Sequence, residues 1–266
     1  MKNLFLPVCL LILALTALSY SKDRKEIKVK YPFTIKPVMS DVKKKVQDEF
    51  CSLNGKQWQT IMIDQFSGFI AYASVEGMPE RKNLSDYKLA IKVADEFLKK
   101  NRVLLGIKEN LPKCVNVRGN ENPELGYVWV DYGGQTQYDM PVEGTRATVK
   151  VDYPGVVKEV RCRWYPSIEI PQEQGMDKEK IKEILTGRAI PYKGYGGQEL
   201  AYIVKDTDLI EEVQKVIFPL RKERENTVEF YITWKIEINK EELKNAWTLY
   251  IDTYSGQDIY IKQNFK

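Results

Sequence analysis

Five aspartates, Asp64, Asp131, Asp139, Asp152 and Asp252, have the best claim to chemistry in this chain, because it contains no histidine. Without imidazole there is no side chain whose unperturbed pKa suits proton transfer near neutrality, and the commonest ligand of catalytic zinc is missing. Ser–His–Asp triads, Cys–His pairs and HExxH helices are excluded at once. Enzymes that work with two carboxylates, or with lysine, survive. Paired-carboxylate catalysis needs two acids in different environments about a cleft. All five aspartates lie in or beside segments that read as turns, and no second carboxylate follows them at the spacing of a calcium loop. The sequence therefore assigns no catalytic residue, no cofactor and no metal ligand, and the expectation is a non-enzyme.

Other reactive types lead no further. Four cysteines are present, of which Cys9 lies in an N-terminal apolar run. Cys51, Cys114 and Cys162 allow one disulfide and one leftover thiol, or three small apolar side chains packed in a core. Cys114 and Cys162 both fall in strand-like runs and could face each other, but pairing is not fixed by sequence. Tyr192-Lys-Gly194-Tyr-Gly196-Gly197 is glycine-rich but lacks the Gly-Lys-Ser/Thr ending of a phosphate loop, and reads as a flexible connection. Lys178 to Lys182 alternates with acids, as a solvated helix face does. The net charge of +4, from 41 basic and 37 acidic residues, falls to +3 without Lys2. So small an excess gives no counterion-release argument for nucleic acid.

The elements that must hold these residues are organised by a repeat. Trp58-Gln-Thr-Ile-Met-Ile-Asp64-Gln-Phe-Ser67-Gly68, Arg146-Ala-Thr-Val-Lys-Val-Asp152-Tyr-Pro154-Gly155 and Ala246-Trp247-Thr-Leu-Tyr-Ile251-Asp252-Thr-Tyr-Ser255-Gly256 share one plan. Each is an alternating strand, an Asp, a short spacer and a Gly, followed by another strand. Asp opens such a turn by accepting from nearby backbone N–H groups, and Gly takes the positive φ that closes it. Alternation sets Val149 with Val151, and Leu249 with Ile251, on one face.

Helices fall between the hairpins. Ser85 caps one running to about Asn101, with Ala90, Val93, Ala94, Phe97 and Leu98 at helical spacing and Lys99 and Lys100 in its last turn. Asp177 starts another, with Ile181, Ile184 and Leu185 inward and Gly187 as its stop. The Asp208-x-x-Glu211 spacing predicts a third, ending before Pro219. Further strands are expected at 127–132, 145–164, 200–204, 228–238 and 247–262. Pro166, Pro171 and Gly175 break the periodicity as a linker does, placing a boundary near 168–175. The expected fold class is α+β, in two units each with a helix packed on an antiparallel sheet, at 55–170 and 175–266. Residues 22–54 form a lysine-rich N-terminal segment with a short solvated helix over Asp41 to Phe50. Residues 1–21 read as an export signal: Lys2, an apolar Leu4 to Leu18, and Ala17-Leu-Ser19 as the cleavage pattern. An apolar run of roughly 15 residues is short for a membrane span, so contact with a membrane is expected only if the segment stays uncleaved.

Phe230-Tyr-Ile-Thr-Trp234-Lys-Ile236 and the hairpin Ala246 to Gly256 together resemble the end of a PepSY domain. Val128-Trp129-Val130 and Gln135-Thr-Gln137-Tyr138-Asp139-Met140-Pro141-Val142-Glu143-Gly144 resemble the strand pair of the FTP propeptide domain, and Phe97-Leu98 through Leu104-Leu105-Gly106 resembles the helix before it. FTP followed by PepSY, over about residues 55–264, is similar to the propeptides of thermolysin-like secreted metallopeptidases. The resemblance implies a PepSY/cystatin-like fold and a propeptide-like function, folding or inhibiting a peptidase. No HExxH peptidase follows, so the expectation is an exported, extracellular or envelope-located binding module whose protein partner, such as a secreted peptidase, is met in trans. A structural envelope protein and a carboxylate-based hydrolase are the alternative readings.

Overall fold

The computed structural model describes residues 30–77, 87–108, 110–119, 126–171, 175–205, 208, 210–240 and 243–265. The expected export signal (1–21), residues 22–29 and the expected cap Ser85 lie outside the described residues. In chain order the first elements are β1 (Phe33–Ile35), α1 (Ser40–Asn54), β2 (Trp58–Ile63), β3 (Ile70–Val75), α2 (Tyr87–Asn101), β4 (Cys114–Gly119), β5 (Tyr127–Tyr132), β6 (Thr136–Gln137), β7 (Met140–Pro141), β8 (Arg146–Asp152) and β9 (Val156–Arg163). There follow α3 (Lys180–Leu185), β10 (Ala189–Lys193), β11 (Glu199–Ile203), β12 (Ile210–Lys222), β13 (Thr227–Lys240), β14 (Leu243–Asp252) and β15 (Asp258–Gln263). The class is α+β, with antiparallel sheets.

One sheet has six strands in the order β2-β3-β9-β8-β5-β4. Its inner face carries Ala73, Val128, Val130, Ala147, Val149, Val151 and Val160, all buried against Ala90, Ala94, Phe97 and Leu98 of α2. The β-branched residues stand at alternate positions of β5 and β8, as a half-buried strand requires, and the apolar stripe of α2 covers them. Lys99 and Lys100 close α2 where the helix dipole favours cations.

The second sheet is built around β13. One edge pairs with β12 from Thr227 to Ile238, while the other is shared end to end by β1 (Phe33↔Phe230) and β14 (Thr233↔Asp252), with β15 beyond β14. Its core joins Ile236, Ile238, Trp247, Leu249 and Ile251 to Ile181 and Leu185 of α3 and to Ile190 of the β10–β11 hairpin.

Three expectations need revising. The helix expected from Asp208 to Pro219 is instead the long strand β12. Val213, Val216 and Ile217 favour an extended chain, and Val216 and Ile217 are fully buried on opposite faces of it. Pro219 is tolerated because β12 lies at the edge of its sheet, where a missing N–H costs no ladder bond. Asp208 caps no helix: its carboxylate accepts from Lys205 N–H at 2.8 Å and Tyr202 Oη at 2.9 Å.

The N-terminal segment, expected to carry a short solvated helix, supplies a strand to the second sheet and a helix end to the core of the first. β1 pairs with β13 (Phe33↔Phe230). α1 runs well past the expected end, stops at Gly55, and sends fully buried Phe50 against Trp58 and Phe97 at ring separations of 5.1 and 6.3 Å. Asn54 and Asn101 then join the C-terminal ends of α1 and α2 through reciprocal amide bonds of 2.6 and 3.2 Å. Finally, the segment read as a linker carries buried Ile168 and Ile170. They pack with Phe66, Val142, Ile217 and Phe230 into a third core cluster, so residues from both sides of the expected boundary meet there within one compact unit, Tyr31–Lys266.

Candidate functional site

Three of the five candidate carboxylates, Asp64, Asp131 and Asp252, are engaged locally. In the first hairpin turn Asp64 Oδ1 accepts from Phe66 N–H at 3.0 Å and Ser67 N–H at 2.7 Å, while Gly68 N–H (φ +74°) donates to Asp64 O. The third turn repeats the plan: Asp252 Oδ2 accepts from Ser255 N–H at 3.0 Å and Ser255 Oγ at 2.6 Å, and Gly256 N–H donates to Asp252 O. Asp252 is in addition buried and accepts from the Tyr31 hydroxyl. Burial and this bond push the Tyr31 phenol far above its ordinary range. Asp139 lies in the β6–β7 turn at φ +59°. Asp131 forms a two-pronged ion pair with Arg118, Nε–Oδ2 at 2.6 Å and Nη2–Oδ1 at 3.0 Å, and accepts from the Thr148 hydroxyl at 3.0 Å. The Arg118 guanidinium holds the Asp131 carboxyl below its ordinary value. The pair's stabilisation is therefore present above the unfolded carboxyl pKa and fades as pH falls through the lowered one. With Arg118 more than half exposed it is worth under about 1 kcal/mol.

Asp152, in the second turn, differs. It is buried, its Oδ1 has no hydrogen-bond partner among the described residues, and burial raises its pKa against the opposing pull of Lys150 and Lys158. A raised carboxyl pKa means that ionisation costs stability in the folded state. Asp152→Asn is accordingly expected to raise stability at neutral pH by about 1 kcal/mol. The gain should shrink as pH falls through the raised pKa and vanish below the ordinary carboxyl value of 3.8. Thermal melts of both proteins across that range check the sign.

The three cysteines are free thiols. Cys114 and Cys162 do share a face and even a row of the six-stranded sheet (Cys114↔Tyr132, Tyr132↔Ala147, Ala147↔Cys162), but they are three strands apart. At the usual strand spacing that is roughly 14 Å, far beyond disulfide reach. Burial pushes the Cys162 thiol up to about 12, and its S–H donates to Leu105 O at 3.5 Å. Cys114 is pushed up as well, by burial. Neither has the lowered pKa of a nucleophile.

The motif residue Gln135 makes a clasp. Its amide accepts from Tyr165 N–H at 2.9 Å and donates to Tyr165 O at 3.3 Å, beside an open cleft of about 400 Å³ that Lys108, Trp164 and Ser167 also line.

The feature that sequence reading missed lies on the outer face of the six-stranded sheet, opposite α2. Register places Arg163 beside Arg146 in one row, Arg161-Thr148-Asp131-Asn116 in the next, and Glu159-Lys150-Trp129-Arg118 in a third. Arg118 is paired with Asp131, and Arg161 with Glu159 at 2.6 Å. The Arg161 guanidinium sits 4.9 Å from the Trp129 ring centre, and Lys150 Nζ lies 3.9 Å from that of Tyr127. Arg146 and Arg163 are exposed and have no ion pair among the described residues. Two shallow depressions, of about 310 and 170 Å³, share Arg146 and Arg161 in their walls. The signal was present in the chain: once Val149 and Val151 face inward, Arg146, Thr148 and Lys150 must face outward. Whole-chain charge conceals such clustering.

No family model and no curated protein matches this chain. Among solved structures it is similar to the Bacillus megaterium YpeB C-terminal domain, at 15% identity and a TM-score of 0.39, over 87% of this chain and 100% of that one. A likeness at this level says nothing of function.

Proposed function

We propose that this chain is an exported, non-catalytic protein-binding module, built as two helix-on-sheet units of FTP and PepSY type, which restrains or chaperones a secreted peptidase in trans. The observation that carries the reading is the outer face of the six-stranded sheet, which no described element covers. Arg118, Trp129, Arg146 and Arg161 stand there around an open depression instead of packing under another element. Sheet surfaces of this kind receive partners by side-chain contact, and Arg and Trp are the residue types that most often dominate such contacts. The ordered motifs from Phe97 to Gly106, Gln135 to Gly144 and Ala246 to Gly256 supply the FTP and PepSY part of the proposal. The local engagement of Asp64, Asp131 and Asp252 in turns and an ion pair supports a binding rather than a hydrolytic role.

The test mixes the chain from residue 22 onward with the secreted peptidases of its own organism. The expected result is a stoichiometric complex in gel filtration and slowed hydrolysis of a peptide substrate, with the chain itself uncut. Absence of both complex and inhibition removes the peptidase-directed reading.

A further inference from the structure

We infer that the outer face of the six-stranded sheet is a docking site for an acidic, extended segment of a partner protein, with Arg146 and Arg163 as its principal carboxylate contacts. The inference rests on the binding-module reading and names the chemistry of the partner.

This face carries an electrostatic cost. Arg146 and Arg163 are direct partners across β8 and β9, and like charges directly opposite each other destabilise a sheet. Arg161 lies two residues from Arg163 on the same face of β9, about 7 Å away along the strand. Among the described residues, Asp131 is bonded by Arg118 and Thr148 and feels Arg146 only at longer range, Glu159 is bonded by Arg161, and Asp64 Oδ1 accepts from the amides of its own turn. Lys150 is set over the Tyr127 ring, with no ion pair among the described residues. The face thus carries cations in excess of acids, and two of them are planar guanidiniums free to bind carboxylate with two parallel N–H donors.

The outer face of the second sheet makes the contrast. There Lys235 pairs with Glu143 at 3.4 Å, Glu237 and Lys262 line the same shallow surface, and Phe218 stacks on Tyr260 at 5.5 Å. That face is balanced in charge and filled by its own rings. Only the first face asks for an anion.

Two observations favour a protein segment over a nucleic acid. Single-stranded nucleic acid needs open aromatic faces for its bases as well as a cationic track. Here Trp129 is covered by Arg161, and the Tyr127 ring by Lys150. The unanswered cations also form a compact group on β8 and β9 instead of a long track. Arg146 and Arg163, about 5 Å apart across the ladder, can together hold one acidic side chain of an extended peptide.

The experiment is a calorimetric titration of the chain from residue 22 onward with an octapeptide of alternating Glu and Leu. A Ser–Leu octapeptide and an oligothymidylate of eight nucleotides serve as comparison probes. The Glu–Leu peptide is expected to bind, at least tenfold more tightly than either comparison probe, and to weaken at least tenfold between 50 and 500 mM salt, as screening of exposed charges requires. The double variant Arg146→Ser/Arg163→Ser is expected to lose at least tenfold in affinity. Its melting temperature should be equal or higher, because a repulsive pair is removed. A Lys235→Ser variant should bind as the parent does. No binding of the acidic peptide, equal binding of the oligothymidylate, or unchanged affinity in the double variant overturns the inference. If a peptidase complex forms and survives unchanged in the double variant, the inference falls while the binding-module reading stands. If the acidic peptide binds as described but no peptidase is captured, the peptidase reading falls alone.

Discussion

Trp247→Ala is expected to lower the melting temperature by about 10 °C. Trp247 is fully buried in β14, with the Tyr202 ring stacked on it at 4.8 Å and Tyr192 and Phe265 meeting it at 5.8 and 5.2 Å. These partners come from the β10–β11 hairpin and from the C-terminal end of the described chain, and α3 contributes Ile181 and Leu185 to the same cluster. Truncating such a ring costs about 3–5 kcal/mol, because the lost contacts leave a cavity that the surroundings refill only in part. For a folded unit of this size each kcal/mol shifts the midpoint by about 2–4 °C. Trp247→Phe should lose markedly less. It keeps most of the apolar contact and removes an indole N–H that has no partner among the described residues. A melt in which Trp247→Ala matched the parent would mean that the second core is not assembled around this residue.

The second large effect is expected from Tyr31→Phe. The Tyr31 hydroxyl donates to Asp252 Oδ1 and accepts from Ile232 N–H at 2.9 Å, so one oxygen serves a buried carboxylate and a strand amide. Its ring also lies 4.7 Å from Tyr254 and 6.0 Å from Tyr231. Removing the hydroxyl strands both polar groups, and hydrogen bonds to charged groups are worth about 1.5–3 kcal/mol. Because Tyr31 directly precedes the Pro32–Ile35 stretch that holds β1 to β13, part of the loss should be local. Hydrogen exchange at Phe33 and Ile35 is expected to accelerate more than exchange at Val130 or Val149, which lie in the other sheet. Uniform acceleration in both sheets would show that the hydroxyl supports the whole unit and does not pin β1.

How far the fold could be read in advance depended on whether the signal was local. The turns from Asp64 to Gly68 and from Asp252 to Gly256 are legible because Asp, Ser and Gly act within five residues of one another. The two turns share the same backbone bonds. Alternation in Val128-Trp129-Val130 and Val149-Lys150-Val151 was equally plain. The failures were non-local. β1 is three residues long and exists because Phe33 finds Phe230, nearly two hundred residues away. In β12, a spacing that resembles a helix cap and a proline outweighed the β-branched run between them, and only the neighbouring β13 settles the matter. The Asn54–Asn101 amide pair depends on two helix ends meeting, which neither helix encodes alone. The cationic face fell between these cases. Its residues alternate visibly, but their convergence needs the strand order β9-β8-β5-β4.

Arginine-selective labelling with phenylglyoxal, read residue by residue by mass spectrometry in the free chain and in its complex with a partner peptidase, shows whether the partner docks on the cationic face. Strong protection of Arg146 and Arg163 is expected in the complex, with exposed Arg102, at the C-terminal end of α2, labelled as before. Unchanged labelling of Arg146 and Arg163 in a saturated complex would place the partner elsewhere and contradict docking on that face.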